Sequence, residues 1–248
     1  MKKPLIILTG PTAVGKTKLS ISLAKAVNGA IISADSMQVY RHMDIGSAKI
    51  RPEEMCGVPH YLIDVLDPSE EFHVVKFVEL AHEAMEKIYA AGQIPIVTGG
   101  TGFYIPAVLK EVDFTESHGE LPIRKQLEEK AATEEGAAEL YRELSEVDPA
   151  SAETIHPNNV KRVIRALEYY HETGQKISEH NEEQKQKESP YCSAYFVLND
   201  ERSILYDRID RRVDQMICDG LVDEVFRLKE MGYTRDLVSM QGLGYKEI

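Results

Sequence analysis

Apolar residues fall along this chain in two alternating rhythms. PLIILTG at 4–10, AIISADS at 30–36, HYLIDV at 60–65 and QIPIVTGGTG at 93–102 are short apolar runs. Such runs read as strands buried on both faces. Between them the spacing turns helical. Leu19, Leu23 and Val27 recur at i, i+4, i+8, with Gly29 following as a C-terminal cap. Val75, Val78, Ala81, Met85 and Ile88 give FHVVKFVELAHEAMEKIYAAG an amphipathic face, and Gly92 closes it. From about Phe114 to Glu188 the strand rhythm disappears, and IRKQLEEKAATEEGAAELYRELSEVDP and NNVKRVIRALEYYHETGQKISEHNEEQ are charged and helical. CSAYFVLND restores a strand at 192–200, and ILYDRIDRRVDQMICDGLVDEVFRLKEMG predicts one closing helix. The expectation is an α/β fold: a parallel sheet covered on both faces by helices, formed by 1–113 and 189–248, with a helical insertion domain at 114–188. Ligands of such sheets lie beyond the carboxyl ends of the strands.

Composition narrows the class. Hydrophobic residues are 43% and charged residues 28% of the 248, ordinary values for a globular protein. No apolar run approaches a membrane span, and MKKPLIILTG is too short in apolar residues for a signal peptide. Cys56, Cys192 and Cys218 are odd in number and far apart. That points to a reducing, cytoplasmic setting with neither a disulfide framework nor a Cys-based zinc site. The eight histidines show no H-x-x-x-H spacing, and no transition-metal site is expected. The net charge of −12 counts against a nucleic-acid partner unless basic residues cluster locally.

LTGPTAVGKT at 8–17 satisfies G-x-x-x-x-G-K-[ST] with a strand before it and a helix after it, the context this motif requires. Gly10, Pro11, Thr12, Ala13, Val14 and Gly15 then form a loop whose amides converge on phosphate oxygens at a helix N-terminus. Lys16 neutralises phosphate charge, and the Thr17 hydroxyl suits magnesium held between loop and phosphates. This loop is usually read as an ATP or GTP site, but its physics recognises only a di- or triphosphate tail. Asp35 ends the second strand on the ligand rim; Asp-Ser is also a common capping pair, and spacing leaves both roles open. VTGGTGFY offers backbone donors and the Thr101 hydroxyl at another strand end, though alone it reads as a plain turn. Lys161, Arg162 and Arg165 share one or two helical turns, as a phosphodiester contact or a solvated face. Arg208 and Arg212 lie at i, i+4, either as anion clamps or in surface ion pairs with Asp207 or Asp210.

In this order, GPTAVGKT, ADSMQVYRHMDIGSAK, VPHYLIDVLDP, IPIVTGGTGFY, HPNNVKRVIRALE, LYDRIDRRVDQMICDGLVDEV and QGLGYKE, spanning 10–247, resemble the P-loop type of the tRNA isopentenyltransferase family. The resemblance implies a P-loop NTPase-like fold. It implies transfer of a dimethylallyl group from dimethylallyl diphosphate to the exocyclic amine of an adenosine beside the anticodon, with Mg2+ and without ATP turnover. By position in the family motifs, Asp35 is the general base, Thr101 contacts the tRNA near the junction of the substrates, and Arg212, with Arg208 second, faces the diphosphate. Ser36, Met37 and Gln38 fall on the family's base-contacting stretch. Asn159, Val160, Lys161, Arg162 and Val163 fall on its RNA-contacting helix, and Arg124 on its other phosphate contact. The insertion would clamp the anticodon stem-loop, with no membrane partner and a monomer as the working state. The chain departs from the family pattern at 110–121 and at Pro106. It also stops where the family continues with a basic helical segment, so residues 1–248 alone are expected to bind RNA poorly.

Three rivals share parts of this pattern. An isopentenyltransferase acting on free adenine nucleotides would use the same chemistry. A P-loop small-molecule kinase would turn over ATP. A nucleotide-gated switch would leave Asp35 and the arginine helix without a purpose.

Overall fold

A computed structural model of the chain describes residues 2–112 and 122–248. Most of the unmatched stretch 110–121, and the expected start of the insertion at 114, lie outside the described residues. The chain divides into two compact units, Met1–Glu111 with Ser189–Ile248, and Val112–Glu188.

The first unit is built on a parallel sheet of five strands: β1 (Lys3–Thr9), β2 (Gly29–Ser33), β3 (His60–Tyr61), β4 (Ile94–Gly99) and β5 (Tyr191–Val197). They run in the order β3-β2-β4-β1-β5, all pairs parallel. The alternation of side chains along a strand divides the core in two. Leu5, Ile7, Ile32 and Val97 face one cluster, closed by α2 (Val74–Ala90), α3 (Tyr104–Lys110) and α10 (Leu221–Glu230). Ile6, Ile31 and Ile96 face the other, closed by α1 (Lys16–Val27).

Several expectations are corrected. HYLIDV yields only two strand residues, because Leu62 and Asp64 take φ of 62° and 55° and turn the chain away from the extended path. Asn28, not Gly29, caps α1 in the left-handed region. Gly29 instead opens β2, where a Cβ would come within 2.9 Å of the Ile94 carbonyl oxygen. The single closing helix is two, α9 (Arg202–Cys218) and α10, because Gly220 at φ 98° breaks the ladder between them. The sheet is not covered throughout: Tyr195, Phe196 and Val197 on β5 are about half exposed or more. Among the described residues no helix is long and apolar enough to cross a membrane.

The second unit is helical: α4 (Pro122–Lys130), α5 (Glu134–Val147), α6 (Pro149–Thr154), α7 (Val160–Thr173) and α8 (Ile177–Gln186). Its core gathers Leu127, Leu140, Leu144, Val163, Ile164 and Leu167.

Candidate active site

The 10–15 turn leaves β1 and enters α1 through two glycines at positive φ, Gly10 at 147° and Gly15 at 97°. At Gly10 the requirement is also steric, since an added Cβ would collide with the Leu198 carbonyl oxygen. Lys16 reaches back over this turn, its Nζ donating to the carbonyls of Gly10 and Pro11 at 2.8 Å each. The GGTG turn after β4 abuts the same place: a Cβ at Gly100 would lie 3.6 Å from the Gly10 oxygen and 3.9 Å from Lys16 Nζ. Thr9 Oγ1 donates to the Gly99 carbonyl at 3.0 Å and ties the two strand ends together.

Across from the loop, Asp35 follows β2. Its Oδ1 accepts the amides of Met37 at 2.8 Å and Gln38 at 3.2 Å. The capping role left open by the sequence is therefore occupied, by one oxygen of the carboxylate. Gln38 is held in turn: Oε1 accepts from Ser33 Oγ at 3.1 Å, and Nε2 donates to the Ser47 and Ala48 carbonyls at 3.4 Å each.

These groups share one cavity of about 300 Å³, walled by Thr12, Ala13, Gly15, Lys16, Thr17, Asp35, Gln38, Gly100 and Arg212, with Ser33, Ala48, Thr98 and Gly99. The electrostatics reflect that proximity. Burial pushes the Lys16 ammonium below its ordinary value; the Asp35 charge opposes this and the Arg212 charge adds to it. Burial likewise lowers Arg212, again opposed by Asp35. Tyr104, stacked on Phe77 with centroids 4.4 Å apart, is pushed up to about 12 chiefly by burial, with Tyr40 and Asp35 contributing. A larger cleft of about 920 Å³ shares Thr17, Ala48 and Arg212 with the first and adds Lys18, Ile21, Lys25, Ile50, Arg51 and Met216.

The remaining expected residues scatter. Arg208 stands at the rim, paired with Asp200 at 2.9 Å rather than with Asp207 or Asp210, and 3.5 Å from the Ala13 carbonyl. Thr101 adjoins the cavity through Gly100 but does not wall it. Ser36 precedes Met37, which is half-buried against the core. Ser33, Ala48 and Thr98 were missed because nothing in a strand end or a loop alanine marks it as a cavity wall.

In the helical unit, Asn159, Lys161 and Arg162 are exposed at the start of α7. Val163 is 1% exposed in the core and Val160 packs against it, so their side chains anchor the helix instead of facing RNA. Arg124 is engaged by carboxylates: Glu128 at 3.0 Å and the fully buried Glu168 at 3.4 Å, which Arg165 also meets at 2.9 Å.

A parallel sheet whose first strand runs through this loop into a helix defines a P-loop α/β protein. Comparison with known proteins narrows the class. The family described as IPP transferase matches residues 38–248, and that described as isopentenyl transferase matches 3–69. The chain is 66% identical over 246 residues to the tRNA dimethylallyltransferase of Lachnoclostridium phytofermentans, covering 99% of this chain and 78% of that protein. It is similar to the full-length tRNA isopentenylpyrophosphate transferase of Bacillus halodurans (47% identity, TM-score 0.70, all of this chain and 76% of that one). It is also similar to a eukaryotic dimethylallyltransferase acting on tRNA (34% identity, TM-score 0.84, 98% of this chain and 60% of that one). The chain belongs to the IPP transferase family.

Proposed function

We propose that this chain transfers a dimethylallyl group from dimethylallyl diphosphate to the exocyclic amine of an adenosine in a tRNA anticodon loop. The observation that carries the reading is the cavity itself, with a phosphate cradle and two cations on one wall and the Asp35 carboxylate on the other. The helical unit serves as the RNA-binding domain, through the exposed start of α7. The three exposed, unpaired cysteines suit a reducing cytosol, where tRNA is found.

The chemistry follows from what each wall offers. The allylic C–O bond of the donor breaks, and negative charge gathers on the departing pyrophosphate. Loop amides, Lys16 and Arg212 stabilise that charge. The amine of adenine forms the new C–N bond and passes a proton to the oxygen of Asp35 that the turn leaves unused. The base has to leave its stack to reach the cavity.

Mg2+ fits the donor set. Among the described residues no three His, Cys, Asp or Glu side chains form a metal cluster. Magnesium needs few protein ligands when phosphate oxygens supply the rest, and the Thr17 hydroxyl at the mouth of the cradle provides one. Bound there, it would neutralise diphosphate charge.

The test incubates the protein with labelled dimethylallyl diphosphate, Mg2+ and either an anticodon stem-loop or AMP. Label in the RNA is the expected result. Label in AMP alone identifies an enzyme of free nucleotides, and a parallel incubation with ATP in place of the donor that yields ADP and a phosphorylated acceptor identifies a kinase; either overturns the proposal.

A further inference from the structure

DGLVDEV at 219–225 and QGLGYKE at 241–247 are far from the phosphate loop in sequence, and nothing above gives them a role. Their structure is specific. Glu224, in the first turn of α10 and 2% exposed, points its carboxylate at three consecutive backbone amides. Asp44, Ile45 and Gly46 donate to it at 2.9 to 3.1 Å. Successive amides converging in this way form an anion nest, and here the anion is the protein's own side chain. The buried Tyr245 hydroxyl, held protonated by burial and the Glu224 charge, donates to the same carboxylate at 2.7 Å. Gly46 makes the packing possible, since a Cβ there would lie 2.6 Å from the Tyr245 ring.

The turn held in this way continues into the cavity. Ser47 and Ala48 offer the carbonyls that orient the Gln38 amide, and Ala48 is itself a wall. Gln38 closes the Asp35 turn. Met37 lies against Gly242, where a Cβ would be 2.9 Å from its sulfur. The 35–38 stretch is thus braced from both terminal motifs, whereas the phosphate loop is braced by β1, α1 and its own lysine.

We propose that Glu224 and Tyr245 are positioning residues for the acceptor side of the cavity, acting through the 44–48 turn on Gln38 and Asp35 and leaving the phosphate cradle unaffected. The assignment of an acceptor side rests on the function proposed above; the mechanical link to the 44–48 turn does not. In Glu224→Gln one of the two accepting oxygens becomes an NH2 group, which cannot accept from the backbone donors that face it. With an anticodon stem-loop as acceptor, this variant is expected to lose at least about tenfold in kcat and to show a raised KM for the RNA. Its dissociation constant for dimethylallyl diphosphate with Mg2+, measured without RNA, should stay within about twofold of the wild type. Hydrogen exchange at the 44–46 amides should quicken about tenfold or more, with the amides of 12–17 unchanged. Tyr245→Phe, which keeps the nest intact, should show the same pattern at about threefold.

Equal losses of donor affinity and turnover, or unaltered exchange at 44–46, would overturn the inference. Should Glu224→Gln not fold, Tyr245→Phe decides on the same criteria. A wild-type control that leaves the RNA unlabelled refutes the proposed function instead, and exchange at 44–46 then decides the positioning link alone.

Discussion

Asp35 carries two duties on its two oxygens. Oδ1 holds the turn by accepting the Met37 and Gln38 amides, so Asp35→Ala removes the cap together with the proposed base. Asp35→Asn separates the two, because asparagine caps as well as aspartate but does not accept a proton. The variant should keep donor affinity near neutrality within about twofold and lose about 10²-fold or more in turnover, measured by label transfer to a stem-loop. Near-normal turnover would show that the base lies elsewhere. The same substitution removes the charge that raises both Lys16 and Arg212 against burial. Lysine binds a diphosphate only while protonated, so in Asp35→Asn the alkaline loss of donor binding should begin at a lower pH than in the wild type. A titration of donor affinity against pH checks this, and an unmoved or raised limb would refute the coupling.

At the scale of elements, strand and helix periodicity was legible wherever burial set the pattern, as in β1, β2 and β4 and in α2; α1 forms as expected, but its buried positions are Ser20 and Ala24, and Leu19 of the expected stripe is exposed. It failed where one residue's backbone decides. LYDRIDRRVDQMICDGLVDEV keeps a helical rhythm straight through Gly220, whose φ of 98° nevertheless separates α9 from α10. Gly220→Ala meets open space apart from Asp223 Oδ2 at 3.6 Å, so its cost is conformational, about 1–2 kcal/mol in a denaturant melt. The helical unit has a joint of a different kind at Asp148, which is 2% exposed. Its backbone amide ends α5 by donating to the Leu144 carbonyl, while its carboxylate caps α6 through Ser151 and accepts the amide and hydroxyl of Ser178 in α8. Burial by itself would raise this carboxyl, yet the bonds from Ser178 and Ser151 hold it below the ordinary value of 3.8. A depressed carboxylate stabilises the folded state above its unfolded pKa, and that contribution disappears as pH falls through the folded value. Asp148→Asn should therefore cost about 2 kcal/mol at neutral pH. The difference from wild type should shrink below about pH 4 in melts monitored by helical circular dichroism.

Across the whole molecule, the phosphate cradle could be read directly, because a contiguous motif carries it from Gly10 to Thr17. The acceptor wall was legible only in part: family resemblance marked Asp35 and Gln38, whereas Ser33, Ala48 and Thr98 went unread, because the spacing of these residues carries no period. Charge was the least legible property. The chain carries −12, yet α7 opens with Lys161, Arg162 and Arg165 before its first acid, Glu168. Glu168 is wholly buried and engages Arg124 and Arg165, so those guanidinium groups serve the fold of the helical unit. Lys161 and Arg162 are exposed, and among the described residues no carboxylate engages either. A phosphate contact at Lys161 displaces about one counterion, so Lys161→Ala should lower affinity for an anticodon stem-loop and flatten the slope of log K against log salt by about 0.7–0.9. Arg124→Ala should instead lower the melting temperature, because the buried Glu168 loses one of two cations. Binding isotherms at several salt concentrations separate the two. An unchanged slope in Lys161→Ala would mean that the RNA is held elsewhere, and that the acidic balance of the chain is not offset at the start of α7.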